Sequence, residues 1–135
     1  MSPITKCLLL AVVFALAPFA SFAADEKPAT PAAPKPKQFV YVLRLVPRLH
    51  DDKAWTDEDK KTLGVHFARL KAATDEGKVI LAGRTLEPGD KTFGLVIFEA
   101  IDEPAARVFM DGDPAVTGKV MTAEVHPYMV ALLRK

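Results

Sequence analysis

Beyond residue 24 the chain contains no Ser, no Cys and no Asn: its two Ser are Ser2 and Ser21, and its single Cys is Cys7. That absence excludes a Ser or Cys nucleophile, a disulfide and thiolate zinc ligation from the rest of the chain. It also removes any acceptor for N-glycosylation. An excess of charge of one sign is missing too. The 18 Lys and Arg face 17 Asp and Glu, and one of the basic residues, Lys6, lies in the N-terminal leader, which holds no acid. The remainder is formally neutral and has no basic block. It therefore lacks the electrostatic footprint of a nucleic-acid binder and the polybasic patch of a membrane-surface protein. What is left for chemistry is His50, His66 and His126, the carboxylates, Lys and Arg, the Thr residues and two Tyr.

Lys6 precedes an apolar run from Cys7 to Ala20 that only Pro18 interrupts, and Ser21-Phe22-Ala23 sets small residues at −3 and −1 of a cleavage position. A positive start, a short apolar stretch and a small-residue exit describe a secretory signal peptide over residues 1–23. The run is short for a membrane span, which needs about 20 apolar residues. No Cys stands at the cleavage point, which argues against a lipoprotein. The expected location is a bacterial-type periplasm or the medium, with no stable membrane association after cleavage. Residues 24–37 hold four Pro among Ala and Lys. Such a stretch buries little apolar surface and favours extended conformations, so it reads as a linker ahead of a folded domain at 38–135.

Within that domain, Phe39 to Val46 is rich in β-branched and aromatic residues and apolar on both faces except at Arg44, the pattern of a central strand. Thr56 offers a helix N-cap followed by Asp57, Glu58 and Asp59, acids that complement the helix dipole. Leu63, Phe67, Leu70 and Thr74 then recur at helical spacing up to Gly77. Val79–Leu86 and Phe93–Phe98 read as two strands joined through Glu87-Pro88-Gly89-Asp90, a type II turn sequence. Asp102 caps a second helix running to about Met110, and residues 119–132 form a last strand, interrupted at Pro127. The order βαββαβ is that of an α+β, ferredoxin-like protomer. In that topology the first and third strands are central, and here they are the most apolar. Both helices cover one face of such a sheet, while these strands are apolar on both. A second copy packed sheet to sheet is the simplest cover, so a homodimer is expected.

Three positions attract a functional reading, each beside a plainer one. His66 falls at the edge of the first helix's buried stripe, either as a boundary His satisfied by a carbonyl or as a general base or anion ligand. Asp113, ahead of Pro114, either caps a short extra helical turn or orients His66. His126 alternates with Glu124 and Tyr128 along the last strand. A metal site from His50, His66 and His126 lacks the local spacing of any metal motif, so no metal is expected. There is no phosphate-binding glycine loop, and no cofactor is called for. Gly83 and Gly94 lie inside strands, where they suggest a bulge or the close approach of a ligand or another backbone.

His66-Phe67-Ala68-Arg69-Leu70, Asp75-Glu76-Gly77-Lys78-Val79-Ile80 and Ala82-Gly83 resemble the first half of the YCII-related (YciI-like) domain. Asp111-Gly112-Asp113-Pro114 and Val125-His126-Pro127-Tyr128 resemble its second half, and together they span nearly all of 38–135. The resemblance implies a dimeric α+β barrel of ferredoxin-like protomers. It also implies a His and an Asp lining a pocket, which carry over to His66 and Asp113, and small-molecule lyase chemistry that includes dehydrochlorination of aromatic rings. Two departures bear on the pocket: Arg84 stands where the family usually has Pro, and Ala115 where an aromatic residue often follows Asp-Pro.

The expectation is thus an exported, dimeric, small-molecule enzyme. His66 moves a proton, Asp113 fixes its tautomer, and Arg84, with Gly83 and His126, contacts an anionic or cyclic substrate. The rival is a non-catalytic ligand-binding or assembly module using the same pocket.

Overall fold

The computed structural model describes residues 33–134. The expected signal peptide lies outside the described residues, as does the linker up to residue 32. The elements follow in the order β1 (Lys37–Leu45), α1 (Asp57–Asp75), β2 (Val79–Arg84), β3 (Gly94–Ala100), α2 (Glu103–Asp111), α3 (Pro114–Thr117) and β4 (Met121–Pro127). Single 3-10 turns at Pro47–His50, Asp52–Ala54 and Gly89–Lys91 punctuate the loops. The four strands form one antiparallel sheet in the order β2-β3-β1-β4, so the two most apolar strands are central. This is a ferredoxin-like α+β fold.

Register decides which side chains face the helices. Phe39 pairs with Phe98 and Tyr41 with Val96 and Val125, and this set points into the helix layer. There it meets Leu70 and Ala73 of α1 and Ala106, Phe109 and Met110 of α2 in one buried cluster. Each large side chain buried this way contributes about 1.5–3 kcal/mol. Four of them are aromatic: the Tyr41 and Phe98 rings meet edge to face at 5.5 Å, and Phe98 lies 4.8 Å from Phe109. Tyr41 is therefore held on several sides. The alternate residues Val40, Val42, Leu95, Ile97 and Leu81 lie on the other face of the sheet, which no described helix covers.

Helix α1 starts as its sequence predicts. Thr56 accepts from the Asp59 N–H while the Asp59 side chain accepts from the Thr56 N–H, a reciprocal capping box. Arg48 also grips Asp59, tying the preceding loop to the helix and holding that carboxyl well below its usual range. The buried stripe is rotated from the one expected. It runs through Asp59, His66, Leu70 and Ala73, so His66 lies within it rather than at its edge, and Phe67 is 70% exposed. The helix turns this face inward because a polar group waits beneath it, as the site geometry shows.

Of three local expectations, two shift and one holds. The bulge in β2 falls between Val79 and Leu81 rather than at Gly83, where an added Cβ would meet nothing within 4 Å. Gly94 does mark a close approach, since a Cβ there would lie 3.4 Å from Leu43. The last strand ends at Pro127, after which the Tyr128 N–H still donates to the Gln38 carbonyl.

Candidate functional site

The residues at 111–114 read Asp-Gly-Asp-Pro, and each shapes the chain there. Helix α2 stops at Gly112; Asp113 is extended, and Pro114 opens α3 in its first turn. As the N-cap of α3, Asp113 accepts the Ala115 N–H on Oδ1 at 2.9 Å. The same Oδ1 lies 2.6 Å from Nδ1 of His66. The plain and the functional readings of Asp113 are therefore both true, and each reinforces the other: the cap fixes the oxygen that orients the imidazole. Close packing of α3 on α1 delivers it. A Cβ on Gly118 would stand 2.6 Å from Thr62 Cγ2 and 2.8 Å from the Pro114 carbonyl, so only Gly allows this approach.

The other carboxylate oxygen is also engaged. The Tyr41 hydroxyl donates to Oδ2 at 2.7 Å, and Arg69 Nη1 faces it at 3.7 Å. Asp113 and Tyr41 are fully buried, and His66 keeps only 8% of its surface exposed. A carboxylate taken out of water requires such partners. Burial opposes its ionisation, but hydrogen bonds from His66, Tyr41 and the Ala115 N–H outweigh that and hold Asp113 below the usual carboxylate range. Burial, and then the adjacent Asp113 charge, push the Tyr41 hydroxyl far above its ordinary value, so it remains a donor.

A carboxylate only accepts, so Nδ1 of His66 must carry the hydrogen that joins them. When neutral, the ring then presents a lone pair at Nε2, which has no partner among the described residues. A groove of about 260 Å³ lies beside the pair, between α1 and α3. Thr62 and Val65 on one side and Pro114 and Gly118 on the other line it, whereas His66 and Asp113 themselves do not.

The remaining candidates are placed elsewhere. Arg84 ends β2 opposite Gly94, exposed, with no hydrogen bond or ion pair to His66 or Asp113. Its strand neighbour Ala82 pairs with the core residue Val96, so Arg84 emerges on the helix side of the sheet. Gly83 pairs with Leu95 and His126 with Val40, which sets both on the opposite face. His126 is exposed there, 3.9 Å from Glu124. His50 donates to the Leu45 carbonyl at 3.2 Å. The three His do not converge, and among the described residues no three His, Cys, Asp or Glu side chains cluster as a metal would need.

Sequence reading missed Tyr41 and Arg69 as members of the site. A Tyr in the middle of a central strand was the available signal, because a buried phenol needs a hydrogen-bond partner.

Comparison with known proteins bears on the fold and the family. No curated protein matches the chain. A similar solved structure is 5-chloro-2-hydroxyhydroquinone dehydrochlorinase from Burkholderia phenoliruptrix AC1100, in complex with 2,5-dihydroxybenzoquinone. It is 19% identical, with a TM-score of 0.53 over 68% of this chain and 93% of that one, a likeness of fold. The family model of the YCII-related domain matches residues 42–128, from β1 past the end of β4 and through both His66 and Asp113. The chain belongs to the YCII-related domain family.

Proposed function

We propose that the chain is an exported, dimeric enzyme that moves a proton on a small cyclic or anionic molecule, with His66 as the acid–base group. The observation that carries this reading is the 2.6 Å contact between His66 Nδ1 and a buried Asp113, which leaves Nε2 unpartnered. In that state the ring accepts a proton at Nε2, and Asp113 stabilises the imidazolium that forms. For an elimination, the electron pair of the broken C–H or O–H bond drives out a leaving anion such as chloride, and the imidazolium returns its proton to water. Arg84, on the helix side of the sheet, offers a cation for an anionic substrate group. The fold likeness to a dehydrochlorinase holding a dihydroxyquinone makes hydroxylated and halogenated rings the first compounds to try. The leader supports export, and the apolar outer face of the sheet supports a sheet-to-sheet homodimer.

Purified protein lacking residues 1–23 would be incubated with such rings and the products separated by chromatography. A compound consumed by the parent chain and left intact by His66→Ala, with fold and oligomeric state unchanged, is the expected result. Turnover that survives His66→Ala overturns the assignment, and ligands bound but always recovered unchanged identify a binding module instead. Light scattering that finds a monomer at micromolar concentration removes the dimer.

A further inference from the structure

Among the described residues one buried side-chain nitrogen has no hydrogen-bond partner, and it is Nη1 of Arg69. It lies 3.7 Å from Asp113 Oδ2, inside ion-pair range but too long for a hydrogen bond. The guanidinium is fixed from its other side. Nη2 donates to the Phe109 carbonyl at 2.7 Å, and Cζ stands 4.2 Å from the centre of the Phe109 ring. That carbonyl belongs to the last turn of α2, where helix carbonyls are short of partners and carry partial negative charge. The position of this cation is thus set by a backbone carbonyl and a ring. It faces the carboxylate without being bonded to it.

We propose that Arg69 is a positioning residue for the His66–Asp113 pair: its fixed cation, facing the far oxygen of Asp113, holds His66 back from becoming trapped as imidazolium. The proposal rests on reading that pair as the proton-transfer unit. A carboxylate alone favours the charged ring, and a ring already charged near neutral pH accepts nothing. A cation on the far side of the carboxylate opposes that pull through space. The groups that face Asp113 are His66 and Arg69 from α1, Tyr41 from β1 and the Ala115 N–H from α3. Lys78, before β2, places its Nζ 4.2 Å from the centre of the Phe109 ring and forms no ion pair with Asp113. Of these groups only Arg69 brings a permanent positive charge to the carboxylate. A guanidinium suits the place because one nitrogen anchors on a carbonyl while another faces the acid.

Nitrogen NMR of His66 reads the imidazolium-to-imidazole ratio at one fixed pH near neutrality in the parent chain, Arg69→Gln and Arg69→Lys. Losing the charge raises the ratio by about threefold or more, whereas Lys keeps it close to the parent value. If Gln prevents folding, Arg69→Met keeps an apolar stem against Phe109 and gives the same reading. A ratio unchanged or lowered in the uncharged variant, or raised equally by Lys, overturns the proposal. A neutral His66 protonated on Nε2 in the parent chain is a separate signal. It overturns the reading of the pair, and with it the role of Arg69.

Discussion

Replacing Asp113 by Asn removes one charge and little volume, so its cost can be worked from the contacts of each oxygen. Asn caps a helix as well as Asp does, so the bond from the Ala115 N–H survives if the amide oxygen occupies the Oδ1 position. That same oxygen still accepts from His66. The amide NH₂ then meets the Tyr41 hydroxyl, a donor against a donor, and Arg69 loses its counter-charge. Turning the amide over relieves Tyr41 only by opposing His66 and the Ala115 N–H. Leaving such a buried group unsatisfied and breaking a buried ion pair costs about 2–4 kcal/mol, and Asp113→Ala costs about 1 kcal/mol more because the cap is lost as well. Urea unfolding at pH 7 measures both. The pH dependence adds a sign. The folded-state pKa of Asp113 is lowered, so its contribution is fully present above the unfolded value of about 3.9 and is lost as pH falls through the folded value. The gap between the parent chain and Asp113→Asn therefore narrows on acidification below about pH 4. A gap near zero at pH 7, or one that stays constant down to the acid limit of the fold, refutes the reasoning.

His66→Gln keeps the volume of a polar side chain but removes the proton acceptor; it should abolish turnover of any substrate found while circular dichroism stays at the parent signal. Tyr41→Phe removes the donor to Oδ2 within an otherwise unchanged aromatic cluster, at an expected cost of about 1–2 kcal/mol in denaturant unfolding. Gly118→Ala forces α3 away from Thr62, so stability should fall by about 1–3 kcal/mol and the Asp113–His66 contact should loosen, visible as a shifted His66 resonance. An alanine variant as stable as the parent would mean that the close approach of α3 to α1 does not position Asp113.

Much of the fold was legible because its signals are local. Thr56 and Asp102 cap the helices they were read to cap, and two strands apolar on both faces took the centre of the sheet. His66 and Asp113 were visible as candidates, but 47 positions separate them, and spacing alone cannot bring them together. Helical periodicity placed Phe67 inside because it counts apolar residues. The structure turns His66 inward instead, because its bond to Asp113 offsets the burial of a polar ring and no other described element covers Phe67. Tyr41 hid for the opposite reason: within an apolar strand its ring behaves as a Phe would, and only its hydroxyl betrays the site. Arg69 depends on where α2 ends, which no pattern in α1 encodes. The β2 bulge occurs without a Gly and so left no mark.

The central claim is that Asp113 holds His66 with its proton on Nδ1 and leaves Nε2 free to react. Long-range nitrogen–proton correlation NMR of the neutral His66 ring tests it directly, in the parent chain and in Asp113→Ala, which has no side-chain acceptor for the Nδ1 hydrogen. The account predicts a proton on Nδ1 in the parent chain and a shift of the tautomer balance toward Nε2 in the variant. A proton on Nε2 in the parent chain, or a balance that the variant leaves unchanged, would contradict it.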